Sequence, residues 1–367
     1  DHRDLHSFPT RRSSDLKVFD DLGTPLVMGV TNMLAPQAYL RITSVGIDDP
    51  QGYVISVIMI AFSILALGLA ARVMKGRDYS TLQKGGNSLQ RRRLSGWESV
   101  LAYGWIILVL LITLAPHFGI LLMSFAKVWS FSVLPDAYTL EHYATVFTDA
   151  RGMMANTLLY CLLAAGLDVV IGTAIAYLIL RTNLPGRRWL DYMASAALAI
   201  PGLVLAIGYL RLFKGVNLPF TDTPVVSTWV LIMLAYAVRR LPYALRSCMA
   251  ALQQVHVSLE EAAQSLGATR MSTIRRVMVP LMMGGMLAGF VTSFITAAVE
   301  LSATILLASA QSQAPMSYGI YLYMQSIAGR GPGAALAVLA VVVVAVGTYL
   351  SHRFVERSRA TVATARV

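Results

Sequence analysis

The 367-residue sequence is poor in charge. Charged residues make up 13% of the chain against 56% hydrophobic residues, and the mean hydropathy is +0.62. Soluble domains carry about 25% charged residues, so this composition excludes a soluble protein of the same length. The chain is therefore expected to reside in a lipid bilayer.

Cysteine, histidine and lysine are also scarce, and their placement excludes several kinds of chemistry. The two cysteines, Cys161 and Cys248, have neither the spacing nor the context of a disulfide or a metal site. No two of the six histidines show metal-ligand spacing. None of the five lysines follows a glycine in a phosphate-loop pattern. We expect no enzyme activity, cofactor or metal in this chain, so any ATP chemistry has to come from a partner.

Long apolar runs are what the sequence has in abundance. A charge-free core of about 20 residues is ~30 Å long as a helix, which matches the hydrocarbon layer of a membrane. The pattern predicts an all-α, polytopic transmembrane helical bundle with about seven membrane-spanning helices. The runs cover residues 51–71, 98–126, 154–180, 191–212, 224–238, 279–299 and 331–351.

The net charge of +11 is concentrated beside these runs. Lysine and arginine cluster in residues 75–95, 181–188 and 239–276 and after residue 353, whereas the opposite loops carry few charges. The positive-inside rule then places those segments and the C-terminus in the cytoplasm, without any role for nucleic acid. Arg239, Arg240 and Arg246 are interpreted as topology determinants of this kind, and contact with the partner that supplies the ATP chemistry is the alternative.

A polar segment, residues 246–278, separates two of the apolar runs. Ser258 and Glu261 have the spacing of a capping box, which predicts a helix start at Ser258. Gly267 is placed to stop that helix in the left-handed conformation. Ala262 and Ala263 would leave a small apolar ridge that another surface can approach closely. A solvated loop between two membrane helices is the alternative interpretation.

A second helix is predicted after the glycine. Thr269 or Ser272 can cap it, and Pro280 opens the next apolar run where a missing N–H costs little. The segment therefore predicts a helix, a sharp turn and a second helix facing the cytoplasm.

The same segment resembles the EAA loop of ABC importer permeases. The motif runs Glu-Ala-Ala at 261–263, Gly at 267 and aliphatic, any residue, aliphatic, Pro at 277–280. Val277 and Val279 stand where the family more often has Ile and Leu. In that family the loop is the coupling helix that docks in a groove of the cytoplasmic ATPase. The resemblance implies an ATPase-coupling site made of Glu261, Ala262, Ala263, Gly267 and Pro280.

The layout resembles the fused, two-repeat permeases of ferric-iron-type importers, over residues 17–357. This resemblance implies the type I permease fold in a bacterial inner membrane, with a cytoplasmic ABC ATPase dimer and a periplasmic solute-binding protein as partners. The favoured solute is ferric iron, and 2-aminoethylphosphonate, polyamines and thiamine are the alternatives. A secondary transporter or channel would need ion-coupling residues deep in several helices. A membrane receptor or structural protein would need a soluble effector domain.

An internal duplication is predicted from matches at a constant offset of 279. The matching pairs are Asp21 and Glu300, Leu22 and Leu301, Leu26 and Ile305, Ala35-Pro36 and Ala314-Pro315, Tyr39 and Tyr318, and Gly52 and Gly331. The expected intact protein supplies both permease halves in one chain, with the first coupling loop upstream of residue 17. The sequence divides into five expected regions. They are 1–16, a non-native or disordered tail; 17–74, the end of the first repeat; 75–96, a cytoplasmic linker; 97–357, the second repeat; and 358–367, a cytoplasmic tail.

Residues that a bilayer should reject are candidates for the solute path. Asp168 lies in the middle of an apolar run, where a charge costs about 2.5 to 3.5 kcal/mol, so it should face protein or water. It either lines the path or makes a structural hydrogen bond. Glu300, Ser302 and Thr304 are the favoured outer part of the path, and a membrane-surface helix is the alternative.

Pro201 and Gly202 interrupt another apolar run. Such a pair marks either a kink in a packed helix or a gate.

Overall fold

The computed structural model describes residues 21–74, 94–129 and 132–364. The expected tail 1–16, most of the expected linker 75–96 and residues 365–367 lie outside the described residues. Within the described part, the chain forms helices, and the only extended pairings are two isolated bridges, Ala126 with Tyr138 and Asn217 with Pro224. The all-α prediction is confirmed.

The chain begins with three helices of increasing length: α1 (Gly23–Val27), α2 (Leu34–Ser44) and α3 (Pro50–Met74). Helix α4 (Gly96–Phe125) follows the linker. The Ser95 side chain accepts a hydrogen bond from the Glu98 backbone N–H, and Glu98 Oε2 accepts one from the Ser95 N–H at 3.0 Å. This reciprocal cap fixes the helix start two residues before the predicted position.

The centre of the bundle is built by the next group of helices. They are α5 (Glu141–Asp149), α6 (Arg151–Arg181), α7 (Arg187–Ala196), α8 (Gly202–Leu212) and α9 (Trp229–Gln254). The interruption expected within 191–212 is present, because the chain leaves the helix after α7 and Pro201 precedes the first residue of α8.

Helix α9 differs from the expected 224–238 span. It begins five residues later and continues to Gln254, so residues 246–254 of the expected polar segment belong to the same helix as the apolar run before them. Cys248, expected at the start of that segment, is fully buried in this helix.

The remaining helices surround the polar turn and complete the bundle. They are α10 (Val257–Ser265), α11 (Arg270–Thr273), α12 (Val279–Ala298), α13 (Thr304–Leu307), α14 (Met316–Met324) and α15 (Arg330–Thr364). A π-helical turn, Ile274–Met278, joins α11 to α12 without a break. Five stretches of the described chain are long and apolar enough to cross a membrane: Pro50–Leu69, Gly96–Phe125, Arg151–Arg181, Arg270–Ala298 and Arg330–Leu350.

Small residues let α6, α9 and α12 approach closely. A Cβ added at Gly172 would lie 3.0 Å from the Leu245 backbone nitrogen, and one at Gly289 would lie 3.1 Å from Ala244 Cα. One at Gly285 would collide with Ala251. Glycines at positions i and i+4 are a common means of packing membrane helices backbone to backbone. These three helices therefore form the tightly packed centre of the bundle.

The first three helices pack on the rest of the chain through a shared apolar core. Leu22, Ala38 and Ile42 are buried there with Leu203 and Ile305. Helices α1, α2 and α3 start at residues 23, 34 and 50, and α13, α14 and α15 start at 304, 316 and 330. Each series thus contains a short, a medium and a long helix in the same order. The corresponding helices of the two series are separated by nearly the 279 residues that separate the sequence matches.

Candidate functional site

The turn after α10 has the geometry expected of the motif glycine. Gly267 has a φ of +88°, and the Ala268 N–H reaches back to the Ala263 carbonyl at 3.0 Å. A Cβ at Gly267 would meet no atom within 4 Å, so the left-handed backbone and not crowding selects glycine here. The predicted helix stop is confirmed.

The start of α10 differs from the prediction. His256 is the N-cap, and its Nδ1 accepts a hydrogen bond from the Ser258 N–H at 3.2 Å. Because the helix already begins at Val257, Ser258 lies inside it and cannot cap it. The capping box of Ser258 and Glu261 is therefore wrong.

One face of α10 is an exposed apolar ridge. Leu259 is 45% exposed and Leu266 is 90% exposed, with the exposed Ala262 between them. The spacing i, i+3, i+7 places these three side chains on one helical face. Glu261 and Gly267 are exposed as well, and Ala263 is half-buried. A small, apolar and exposed helix face of this kind is a candidate contact surface.

Glu260, next to the exposed motif residue Glu261, points into the bundle. It is 7% exposed, and its Oε1 lies 2.5 Å from Nε of Arg181 at the end of α6. Sequence reasoning missed this pair. Adjacent residues of a helix are rotated by about 100°, but nothing in two consecutive glutamates tells which one faces the bundle.

After the Gly267 turn, the cap of the second helix is as predicted, but the way in which that helix joins the next apolar run is not. Thr269 Oγ1 accepts a hydrogen bond from the Ser272 N–H at 3.3 Å, which confirms Thr269 as the cap. The π turn then leads directly into α12, where Pro280 is the second residue. Proline lacks an N–H, and a π turn is one way in which a helix accommodates the lost hydrogen bond.

A buried charge cluster lies in the middle of the bundle. Glu300, which is 6% exposed, has one carboxylate oxygen 2.5 Å from Nη1 of Arg239, and its other oxygen accepts a hydrogen bond from Nη2 of Arg240. Arg240 is twelve residues before Leu252, which lies near the end of α9, so it is ~18 Å along the helix axis from that end at 1.5 Å per residue. The interpretation of Arg239 and Arg240 as topology determinants in a loop is wrong.

The backbone around Glu300 is held by hydroxyl groups. The Glu300 carbonyl accepts hydrogen bonds from Thr304 Oγ1 at 2.8 Å and from Ser317 Oγ at 2.7 Å. Tyr236 OH lies 2.8 Å from Thr304 Oγ1. Thr304 is fully buried and Ser302 is 8% exposed, so this segment lies inside the protein and is not a membrane-surface helix.

The two other groups of path candidates meet the same cluster. Asp168 on α6 is 1% exposed, and its polar neighbours are Ser293 and Arg240. It faces protein, as predicted. A Cβ at Gly202 would collide with the Arg239 guanidinium and lie 3.1 Å from Glu300 Oε1. Residues from two predicted apolar runs and from the segment that follows a third therefore converge on two arginines that sequence reasoning assigned to a loop.

The part of the chain that the structure describes contains no cluster of potential metal ligands. Within residues 21–74, 94–129 and 132–364, no group of three or more His, Cys, Asp or Glu side chains could hold a metal ion. The cluster contains as many described acids as arginines, namely Asp168 and Glu300 against Arg239 and Arg240. Glu300, which forms ion pairs with both arginines, is the acid that compensates their charge inside the bundle.

The fold and the exposed motif helix define a class: a polytopic helical membrane protein with a permease-type loop. The chain belongs to the family of binding-protein-dependent transport system inner membrane components, which matches residues 168–360.

Curated relatives align along most of the chain. It is 28% identical over 309 residues to the ferric transport system permease protein FbpB of Actinobacillus pleuropneumoniae, covering 81% of this chain and 43% of that protein. It is 26% identical to the putative ferric transport system permease protein FbpB 1 of Haemophilus influenzae, covering 82% and 47%. The sulfate transport system permease protein CysT of Salmonella typhimurium is 29% identical over 59% of this chain and 77% of that protein. The chain spans about half the length of the two ferric relatives.

Solved structures match in fold. A bacterial ABC transporter involved in the import of the acidic polysaccharide alginate has a TM-score of 0.53 at 16% identity, covering 71% of this chain and 99% of that one. An alginate ABC transporter in complex with a pentasaccharide-bound periplasmic protein has a TM-score of 0.52 at 17% identity, covering 71% and 98%. At such identities the likeness concerns the fold alone.

Proposed function

We propose that this chain forms the membrane path of an ATP-driven, binding-protein-dependent importer and couples it to a cytoplasmic ATPase. The observation that carries the proposal is the exposed ridge of α10 with its left-handed turn at Gly267. Glu261, Ala262, Ala263 and Gly267 form the docking surface, and Pro280 begins the helix that leaves it. Hydrolysis on the partner moves this surface as a rigid body and tilts the attached spans.

The orientation follows from the same surface. An ATPase that hydrolyses cellular ATP lies in the cytoplasm, so the end of the bundle that carries α10 faces inward. The C-terminus is then cytoplasmic, and a periplasmic solute-binding protein delivers solute to the opposite end in the bacterial inner membrane. Three exposed arginines near α10, Arg270, Arg275 and Arg276, agree with this orientation.

We assign the path to the cluster around Glu300. Asp168, Ser302 and Thr304 lie near it, and Pro201 with Gly202 starts the helix that abuts it. Opening the path separates α8 from α9 and exposes these charges to solvent. The paired starts of α1–α3 and α13–α15, and their shared core, support a duplicated chain in which both permease halves are fused.

Ferric iron is the proposed solute. The two ferric relatives align over 81% and 82% of this chain, whereas the sulfate relative from Salmonella typhimurium aligns over 59%. The second candidate is an oxyanion such as 2-aminoethylphosphonate, because two buried guanidinium groups form charge-assisted hydrogen bonds with anions readily.

The experiment is uptake by the intact transporter, purified with its ATPase from host membranes and reconstituted in vesicles. We expect ATP-dependent accumulation of labelled ferric iron presented on the binding protein. Accumulation of sulfate or a phosphonate instead would overturn the solute. Accumulation driven by an ion gradient without ATP would overturn the class in favour of a secondary transporter.

A further inference from the structure

One arginine joins three helices at the end of the bundle that carries α10. Arg181 is the last residue of α6, and its Nη2 donates hydrogen bonds to the carbonyls of Leu252 at 3.1 Å and Val255 at 2.6 Å. Those carbonyls lie at the end of α9. Its Nε pairs with Glu260 of α10 at 2.5 Å. The same guanidinium thus touches α6, α9 and α10.

The burial and the geometry of the Arg181–Glu260 contact favour a rigid connection. The side chains of Arg181 and Glu260 are 12% and 9% exposed, so solvent screens the pair little. A guanidinium is planar and offers five donors in a fixed arrangement, and here its Nε and Nη2 groups make three hydrogen bonds. The last carbonyls of a helix lack partners within the helix, so a cation at this position also suits the helix dipole of α9.

A second contact lies on the same face of α6, one turn earlier. Tyr177 OH accepts a hydrogen bond from Nε of Arg270 at 2.8 Å, and the Arg270 guanidinium carbon lies 5.6 Å from the centre of the tyrosine ring. Positions i and i+4 of a helix share a face. The helix before the Gly267 turn and the helix after it are therefore both attached to the end of α6.

We propose that Arg181, paired with Glu260, is the positioning residue through which movement of α10 reaches α6 and α9 together. This inference rests on the proposed function, because it needs an ATPase that moves α10. The two adjacent glutamates then have separate roles. Glu261 faces outward and contributes to docking, whereas Glu260 faces inward and transmits the movement.

The test uses the reconstituted transporter with the ATPase that co-purifies with it. Three quantities are measured: the amount of bound ATPase, the hydrolysis stimulated by loaded binding protein, and the melting temperature. Glu260→Gln and Arg181→Lys are the test variants, and Arg151→Lys, an exposed arginine at the other end of α6, is the control. Glu261→Gln is the comparison variant for docking.

We expect Glu260→Gln and Arg181→Lys to retain bound ATPase but to lose stimulated hydrolysis by roughly 5- to 150-fold, the usual range of coupling between sites. The charge exchange Arg181→Glu with Glu260→Arg restores part of the stimulation, because it restores the pair but not the carbonyl contacts. Glu261→Gln instead lowers the amount of bound ATPase.

Two results would overturn the inference while leaving the proposed function intact. One is normal stimulation in both test variants. The other is a lower melting temperature with unchanged stimulation per assembled transporter, which is what a purely structural contact produces. Absence of any bound ATPase in the unchanged protein would instead remove the proposed function, and the inference with it.

Discussion

Two buried arginine–glutamate contacts in this protein differ in what they join. At the end of the bundle, Arg181 pairs with Glu260 and links an exposed helix to two embedded ones. In the middle, Glu300 forms ion pairs with both Arg239 and Arg240 and links only embedded segments. Under the proposed function, the first contact lies where movement of α10 would enter the bundle, and the second lies where the path would open. The same pair of residue types thus joins different elements at the two places, because the neighbouring helices differ.

The central contact should be the more costly one to break. Glu300→Gln leaves two buried guanidinium groups with one carboxylate fewer, and breaking a buried pair costs about 3–5 kcal/mol. We expect a large fall in melting temperature or in the yield of detergent-solubilised protein. Glu141→Gln, at an exposed acid, is the control. An unchanged melting temperature would show that Glu300 is not paired in the membrane.

Crowding at the same cluster should give the next largest effect. The added methyl group in Gly202→Ala collides with the Arg239 guanidinium, which Glu300 holds in place, and overpacking costs about 1–3 kcal/mol. Gly208→Ala lies on the same helix, and its methyl group meets no atom within 4 Å. Thermal unfolding of the two variants, Gly202→Ala and Gly208→Ala, measures the difference in their stability. Equal melting temperatures would mean that α8 does not pack closely against the charge cluster.

The Gly267 turn should affect docking more than folding. Gly267→Val forces a β-branched residue into the left-handed region at a cost of about 1–2 kcal/mol, and this strain falls on the turn alone. We expect normal membrane insertion but less co-purified ATPase. Gly267→Asn is the control because asparagine tolerates this conformation. Full co-purification with the valine variant would count against the coupling role.

A contact at the opposite end of the bundle should give the smallest effect. Lys214 donates a hydrogen bond to Asp48 Oδ2 at 2.9 Å, and its charge and that of Arg211 hold the pKa of Asp48 below its ordinary value of 3.8. A lowered pKa stabilises the fold above pH 3.8, and this contribution is lost as the pH falls through the folded-state value. Asp48 is exposed, so screening keeps the effect small.

Asp48→Asn should therefore lower the melting temperature slightly at neutral pH and not at all in strong acid. Asp136→Asn, at an exposed acid, provides the baseline. The same small difference at every pH would mean that the carboxylate charge plays no part.

The parts of the fold that depend on local pattern were predictable. Hydropathy located the five stretches that are long and apolar enough to cross a membrane, although not the extent of α9, and the motif located the left-handed turn at Gly267. Asp168 was expected to face protein or water because a lipid-facing charge is costly, and it faces protein. These inferences needed only the residue and its near neighbours in sequence.

Partners distant in sequence were not predictable. Arg239 and Arg240 follow an apolar run, so they mimic the charged end of a membrane helix. Their partner, Glu300, lies 60 residues beyond Arg240, and only the folded bundle brings them together. The same limit applies to Arg181 and Glu260, which are 79 residues apart. Local competition caused the other error, since His256 and Ser258 can both cap a helix.

Labelling of a single cysteine tests the central claim most directly. Cys161 and Cys248 are fully buried, so a cysteine introduced by Ala262→Cys on the exposed ridge of α10 is the accessible thiol among these three. A membrane-impermeant thiol reagent is applied to inside-out vesicles with and without bound ATPase, and to right-side-out vesicles. The account predicts labelling only from the cytoplasmic side, and protection by the ATPase. Labelling from the periplasmic side, or labelling that the ATPase leaves unchanged, would contradict it.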